Sequence, residues 1–149
     1  MIMRSHRWAI VLRRVVAAGM AVVVVLVSAG CGDDPLPTRI AAVDGQTVRV
    51  VMTDNHFALD ELSVAAGATI NFEFENTGAV GHRAFIGTEA EQDAYSAGTL
   101  KATAENEVQI DRRGIGTLAY RFASPGTFVV GCHQPAHYAA GMRFVVKVQ

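Results

Sequence analysis

The chain has 149 residues, the length of one domain, and its 50% hydrophobic and 18% charged residues exclude wholesale disorder. The formal net charge is −1, but four arginines in the first fourteen residues conceal an acidic remainder: from residue 31 onward 9 basic residues face 14 acidic ones, a balance of −5. This part of the chain has no basic footprint for nucleic acid. The negative net charge of this part weakly favours a positively charged partner, and salt screens that attraction.

Residues 1–30 have the layout of a secretory signal peptide. Residues 1–14 are basic, and residues 15–30 are apolar or small. An uncleaved membrane helix is the alternative, but this uncharged run of 16 residues is shorter than the roughly 20 that span a bilayer. The Arg13-Arg14 pair also occurs in twin-arginine signals, although no further motif supports that export route.

The apolar run ends at Ser28-Ala29-Gly30-Cys31, which resembles the lipobox of bacterial lipoproteins except at Ser28, where Leu is commoner. The resemblance implies a lipid on Cys31 that anchors the protein to the outer face of the cytoplasmic membrane or the cell envelope. An ordinary cleaved signal with an incidental cysteine is the alternative. If Cys31 carries lipid, Cys132 is an unpaired thiol in an oxidising compartment, and such a thiol is reactive or ligated. A Cys31–Cys132 disulfide is the competing possibility.

The patterns that follow predict a tether over residues 31–44 and one domain over residues 45–149. Pro35, Pro37 and paired acidic residues oppose regular structure in the first segment. Apolar residues then alternate with polar ones in five runs, separated by turn signals rich in glycine, asparagine and proline. Short strands at this spacing indicate an all-β sandwich or barrel. The inward positions are Val48, Val50, Met52; Ile70, Phe72, Phe74; Leu118, Tyr120, Phe122; Phe128, Val130, Cys132; and Met142, Phe144, Val146, Val148.

One connection between the strands has a helical pattern. Thr88-Glu89-Ala90-Glu91 fits a capping box, in which Thr88 begins the helix and Glu91 reaches back to it. Apolar residues recur at helical spacing until Gly98. We therefore expect a short helix over residues 89–97.

Metal-ligating residues concentrate in one loop between two strands. Cys132, His137 and Met142 follow a C-x4-H-x4-M spacing, and His82 lies upstream after a turn. One thiolate, two imidazoles and a weak thioether are the donor set of a blue-copper site, because soft sulfur suits Cu(I) and imidazole suits Cu(II). Zinc also binds Cys and His, but a Met ligand argues against it. We expect His133 to point away from the metal, because neighbouring strand residues face opposite sides.

The segment from Gln46 to Val148 resembles the cupredoxins, in particular the auracyanin- and plastocyanin-like bacterial proteins. The resemblance rests on residues 65–72, 76–82 and 124–128 and on the loop that follows Cys132. It implies a Greek-key β-sandwich of seven to eight strands with copper at one end. In this family the matching positions make His82, Cys132 and His137 the equatorial ligands and Met142 the axial one. Two positions depart from the family pattern: Arg83 replaces the usual Asn, and His133 the usual Ser or Thr.

The expected function is one-electron transfer outside the cytoplasmic membrane, by a monomer that meets its redox partners transiently. The first alternative is a protein that binds and delivers Cu(I) without a redox role. The second is a small copper oxidoreductase. We expect no enzymatic activity, because the sequence has no His-x-His pair for further coppers. Its one cysteine in the domain excludes a binuclear copper centre.

Overall fold

The computed structural model describes residues 38–149, so the predictions for residues 1–30 and for Cys31 lie outside the described residues. This part of the chain forms ten strands and one helix. They are β1 (Arg39–Ala42), β2 (Thr47–Thr53), β3 (His56–Phe57), β4 (Glu61–Val64), β5 (Thr69–Asn76), β6 (His82–Gly87), α1 (Glu89–Ser96), β7 (Glu107–Ile110), β8 (Ile115–Arg121), β9 (Gly126–Cys132) and β10 (Arg143–Val148).

The strands form two sheets that face each other. The six-stranded sheet has the order β1-β4-β10-β9-β6-β7, and the four-stranded sheet has the order β3-β2-β5-β8. Strands β1, β4 and β10 are parallel, as are β2 and β5, whereas the other pairs are antiparallel. The expected all-β cupredoxin-like sandwich with one short helix is confirmed. Ten strands rather than seven or eight are present in residues 38–149, because the short edge strands β1 and β3 add to the count.

Alternate residues of both sheets fill one core between them. In β5, Ile70, Phe72 and Phe74 are buried while their polar neighbours remain half-exposed. Phe72 packs edge-on against Phe122 and is tilted against Phe144 of the opposite sheet. Burial of each such side chain contributes about 1.5–3 kcal/mol, so the alternation by itself drives the two faces together.

Helix α1 covers the outer face of β6 and β9. Thr88 accepts from the Glu91 amide, and the Glu91 carboxylate accepts from the Thr88 amide, which completes the expected capping box. The amide of the fully buried Gln92 donates to the carbonyls of Phe85 and Val129, and thereby fixes the helix to both strands. In residues 38–149 no helix has the length and apolar character needed to cross a membrane.

The prediction of a flexible tether over residues 31–44 is wrong for Arg39–Ala42. These four residues form the edge strand β1, which pairs in parallel with β4 and buries Ala42. The strand has one buried residue, too few for an alternating pattern to be visible in the sequence. Strand β1 is stabilised by backbone pairing with β4 rather than by burial of an apolar face.

Candidate metal centre

Three side chains from distant parts of the sequence meet at one end of the sandwich. The Cys132 sulfur lies 3.5 Å from His82 Nδ1 and 3.5 Å from His137 Nδ1. All three potential ligand atoms lie within 4.8 Å of one another. His82 and Cys132 are fully buried, while His137 is partly exposed. The result is a small, water-poor triangle of two nitrogens and one sulfur that reaches the surface only at His137.

Backbone hydrogen bonds close the loop that carries Cys132, His137 and Met142. The Cys132 amide donates to the Met142 carbonyl, and the Met142 amide donates to the His137 carbonyl, each over 3.0 Å. Ala136 adopts a left-handed conformation, with φ of 70°, where the chain turns toward His137. Met142 is 1% exposed, directly before β10. The loop is therefore tied at its base, and the positions of its three predicted ligands are coupled.

A second loop, residues 77–81, delivers His82. The buried Asn76 side chain donates to the carbonyls of Val80 (2.7 Å) and Asp111 (3.0 Å) and accepts from the Gly78 amide (2.9 Å). Asp54 accepts from the amides of Ala79 and Val80. A Cβ at Gly78 would lie 2.3 Å from the Asp54 carboxylate, so a larger residue here would displace that carboxylate from the loop amides that it binds.

The role of Asn76 in holding the His82 loop was not predicted from the sequence. Its side chain accepts from the amide two residues ahead, which is the contact of an Asx turn. An Asn at the end of a strand and two residues before a Gly was the available signal. Asp54 gave no signal, because its contact spans 25 residues of sequence.

Burial is the main cause of the pKa shifts of His82 and Cys132. It lowers the pKa of His82, and the nearby His137 acts in the same direction. Burial also raises the pKa of the Cys132 thiol, against the backbone amides of Arg83 and Gln134 and the positive charge of Arg83. A neutral imidazole is the form that binds a metal, whereas the thiol must lose its proton, which a bound cation promotes.

The donor set fits copper. Metal bonds from His nitrogen and Cys sulfur are about 2.0–2.3 Å long, so trigonal ligands lie roughly 3.5–4 Å apart, and both sulfur–nitrogen distances are 3.5 Å. The buried His82 Nε2 has no hydrogen-bond partner among the described residues. The Asp54 carboxylate and the Thr53 backbone act to raise the pKa of the ring, but burial and His137 outweigh them. The ligand set of His82, Cys132, His137 and Met142 stays a prediction.

His133 takes no part in the triangle. Its Nε2 lies 2.7 Å from the Gln92 Oε1, and its ring stacks on Tyr138 with centroids 4.6 Å apart. Tyr95 packs edge-on against it. The side chain of Arg83, the other departure, donates to the Tyr95 hydroxyl. Both departures therefore support the packing of α1 against the sheet, on the outer side of the strands that hold the centre.

Comparison with known proteins agrees with this geometry. Residues 46–149 match the family described as copper-binding proteins of the plastocyanin/azurin family. The chain is also similar to the copper-resistant cuproprotein CopI of Rubrivivax gelatinosus, with 31% identity over 109 residues. This match covers 68% of the chain and 66% of CopI, so the chain spans slightly less than two thirds of that relative.

Solved structures of auracyanins are similar in fold. Auracyanin from Roseiflexus castenholzii has a TM-score of 0.59 and 29% identity, over 71% of this chain and 98% of that one. Auracyanin B has a TM-score of 0.60 and 25% identity, over 71% of this chain and 90% of that one. Auracyanin A from Chloroflexus aurantiacus, a blue copper protein, has a TM-score of 0.59 and 23% identity, over 70% of this chain and 100% of that one.

Proposed function

Because the chain belongs to the plastocyanin/azurin family of copper-binding proteins, we propose that it carries single electrons between partner proteins and is not an enzyme. The buried triangle of His82, Cys132 and His137 is the observation that carries this proposal. Bound copper supplies the one-electron chemistry, because thiolate and imidazole together suit both of its oxidation states.

The protein's own residues make the centre suited to transfer rather than to catalysis. Both His82 and Cys132 are fully buried, so water is kept from the metal position. Hydrogen bonds at the base of each loop hold the ligand atoms in place, so little rearrangement accompanies a change of charge. Only the edge of His137 reaches the surface, which leaves little room for a substrate.

The test of the copper assignment is the visible spectrum. We expect the copper-loaded protein to absorb intensely near the red end of the visible range, through charge transfer from the Cys132 thiolate. Cys132→Ser removes that donor and abolishes the band. Cys31→Ser is the matched control, because it removes the only other cysteine and leaves the band intact. A colourless wild-type protein, or a blue Cys132→Ser variant, contradicts the assignment.

Copper delivery is the second candidate function. It is favoured by the similarity to CopI, a protein described as a copper-resistant cuproprotein. The two candidates differ in how long the metal is held. A carrier keeps its copper through many cycles of oxidation and reduction, whereas a delivery protein releases Cu(I) to a competing chelator. Copper content measured after repeated redox cycles in the presence of a Cu(I) chelator distinguishes them.

We further propose that the protein acts outside the cytoplasmic membrane, on a lipid anchor at Cys31. The lipobox-like ending of the apolar run supports this proposal. Stable anchoring takes two or more acyl chains. Cys31→Ser is expected to move the protein from the membrane fraction to the soluble fraction. A variant that stays with membranes as wild type does would point to an uncleaved N-terminal helix.

We place the electron port at His137, which we propose meets partners through its apolar surroundings. The exposed residues of its loop are uncharged: Pro135, Ala136, Ala139, Ala140 and Gly141. Ala136→Asp suits the left-handed backbone there, because Asp tolerates that conformation. We expect it to slow electron exchange with a model cytochrome and to leave the copper spectrum unchanged. Ala66→Asp, in an exposed turn at the other end of the sandwich, is the control. Equal rates for both variants contradict this port.

A further inference from the structure

The turn between β7 and β8 lies beside the loop that delivers His82. Asn76 joins the two, because its side-chain amide donates to the carbonyls of both Val80 and Asp111. His82 is also the register partner of Ile110, the last residue of β7. Residues that follow Ile110 are therefore at the same end of the sandwich as the metal centre.

This turn carries two adjacent arginines, Arg112 and Arg113, and both are exposed. Five of the nine lysines and arginines in residues 38–149 have a carboxylate partner, whereas Arg112 and Arg113, like Lys101 and Arg121, have none there. The two arginines and Ala79 line a shallow depression. Val80, next to it, is 43% exposed.

The backbone at Arg113 is in the left-handed region, with φ of 55°. Glycine or asparagine adopts this conformation at lower cost than arginine does. The turn thus places a long cationic side chain where a small residue would be more favourable. This is consistent with a role for the guanidinium rather than for the turn alone.

Two carboxylates lie near the arginines. The Asp54 carboxylate accepts hydrogen bonds from the Ala79 and Val80 amides, which fixes it against the loop. Asp111 adjoins Arg112 in the turn. Both aspartates are short, whereas the arginine side chains carry their charge several bonds further from the backbone. Asp54 is thus engaged with the loop amides, whereas neither guanidinium group has an ion pair within residues 38–149.

We infer that Ala79, Val80, Arg112 and Arg113, here called the arginine surface, dock a redox partner whose own rim is acidic. The inference rests on the electron-transfer function proposed above. It reverses the expectation from net charge, since the acidic remainder of the chain favours a cationic partner. A small apolar contact with a charged rim suits a complex that forms and dissociates quickly, because rim charges act mainly on the association rate.

The dependence of the electron-transfer rate on salt shows whether the charge of the arginine surface or the net charge of the protein governs the encounter. In the test, one electron passes from the reduced copper protein to hexacyanoferrate(III), which becomes hexacyanoferrate(II). If the arginine surface attracts this anion, salt screens the attraction and the second-order rate constant falls as ionic strength rises. If the net charge governs the encounter, salt screens a repulsion and the rate constant rises.

Single charge reversals locate the effect. At low salt we expect Arg112→Glu and Arg113→Glu each to slow the reaction with hexacyanoferrate(III) by about three- to tenfold. Arg121→Glu changes the net charge equally, but its side chain donates to Gly67, at the other end of the sandwich. We expect it to react at nearly the wild-type rate. An unchanged copper spectrum in each variant shows that the centre has folded, and Arg113→Asn serves if the reversal disturbs the turn.

A binding measurement keeps this inference separate from the proposed function. Hexacyanochromate(III) is a paramagnetic anion that exchanges no electrons, so it reports contact alone. We expect it to broaden the amide resonances of residues 79, 80, 112 and 113 in the reduced protein, and not those near residue 121. If that broadening occurs but no electron is exchanged with either an anionic or a cationic reagent, the electron-carrier proposal fails and the anion-attracting surface stands. A rate that rises with salt, or broadening elsewhere, overturns the arginine surface.

Discussion

At the scale of single residues, Met142 is the predicted fourth ligand of the centre. It is buried, and its backbone bonds both Cys132 and His137, so a substitution there changes the donor atom with little change in the loop. Met142→Gln places a harder oxygen near the metal, which favours Cu(II) and lowers the reduction potential. Met142→Leu removes the donor at similar volume and is expected to raise it. We expect shifts on the order of 60 mV or more, since 59 mV is a tenfold change for one electron.

Voltammetry of the two variants checks this prediction. Opposite shifts for Gln and Leu identify the Met142 sulfur as a ligand, because both substitutions keep a side chain of similar size in the core. Equal shifts, or no shift in either variant, contradict that assignment. The copper spectrum of each variant confirms that the other three ligands remain in place.

Asn76 is the residue on which the His82 loop depends. Its side chain makes three hydrogen bonds while 2% exposed. Asn76→Ala leaves buried backbone groups without partners, at a cost of about 1–3 kcal/mol for each group that water cannot reach. We expect lower stability of the metal-free protein in urea and weaker copper binding. Asn71→Ala removes one exposed bond to the Gly45 carbonyl and should affect neither measurement strongly.

At the scale of elements, strands with one face toward the core were predictable from sequence and the others were not. Alternation indicated β2, β5, β8 and β10, because each buries every second residue over most of its length. Alternation of Phe128, Val130 and Cys132 also indicated β9, although α1 covers its outer face and its last four residues are all buried. Strand β6 buries five of its six residues, since α1 covers its outer face, so it shows no alternation. The short strands β1, β3, β4 and β7 contain too few residues for a pattern.

In the metal centre, too, only the features that are local in sequence could be predicted. The loop spacing indicated Cys132, His137 and Met142, and a turn indicated His82, because these signals are local in sequence. The supporting contacts are not local: Asn76 reaches Asp111 across 35 residues, and Gln92 reaches Val129 across 37. Such contacts depend on which strands become neighbours, and the order of the strands in the sheets cannot be read from alternation.

Helix α1 offers a direct test of the capping box. Thr88→Ala removes the side-chain oxygen that accepts from the Glu91 amide, which costs about 0.5–2 kcal/mol of stability. Thr88→Ser keeps the oxygen and is expected to cost little. Because α1 packs on the outer face of β6 and β9, neither variant should alter the copper spectrum. Urea unfolding measures the difference, and equal losses for Ala and Ser contradict a capping role for Thr88.

At the scale of the whole molecule, the centre joins parts of the chain that are far apart. His82 is the first residue of β6, in the middle of the sequence, whereas Cys132 is the last residue of β9 and His137 follows it, near the end of the chain. These residues come within 4.8 Å only when the six-stranded sheet has formed, since β6 and β9 are neighbours in it. An unfolded chain cannot offer the same set of ligands. Copper therefore binds the folded state in preference and stabilises it.

The size of this stabilisation follows from mass action. Copper at about 100 times its dissociation constant adds about 2.7 kcal/mol, and at about 1,000 times it adds about 4.1 kcal/mol. For a domain of roughly 100 residues each kcal/mol raises the unfolding temperature by about 4–8 °C, so we expect copper to raise it by at least 10 °C. Calorimetry of the metal-free and copper-loaded protein measures the shift, and a chelator should reverse it. Cys132→Ser keeps the fold but loses the thiolate, so copper should shift its unfolding temperature far less. An equal shift in this variant would mean that the stabilising copper binds outside the triangle of His82, Cys132 and His137.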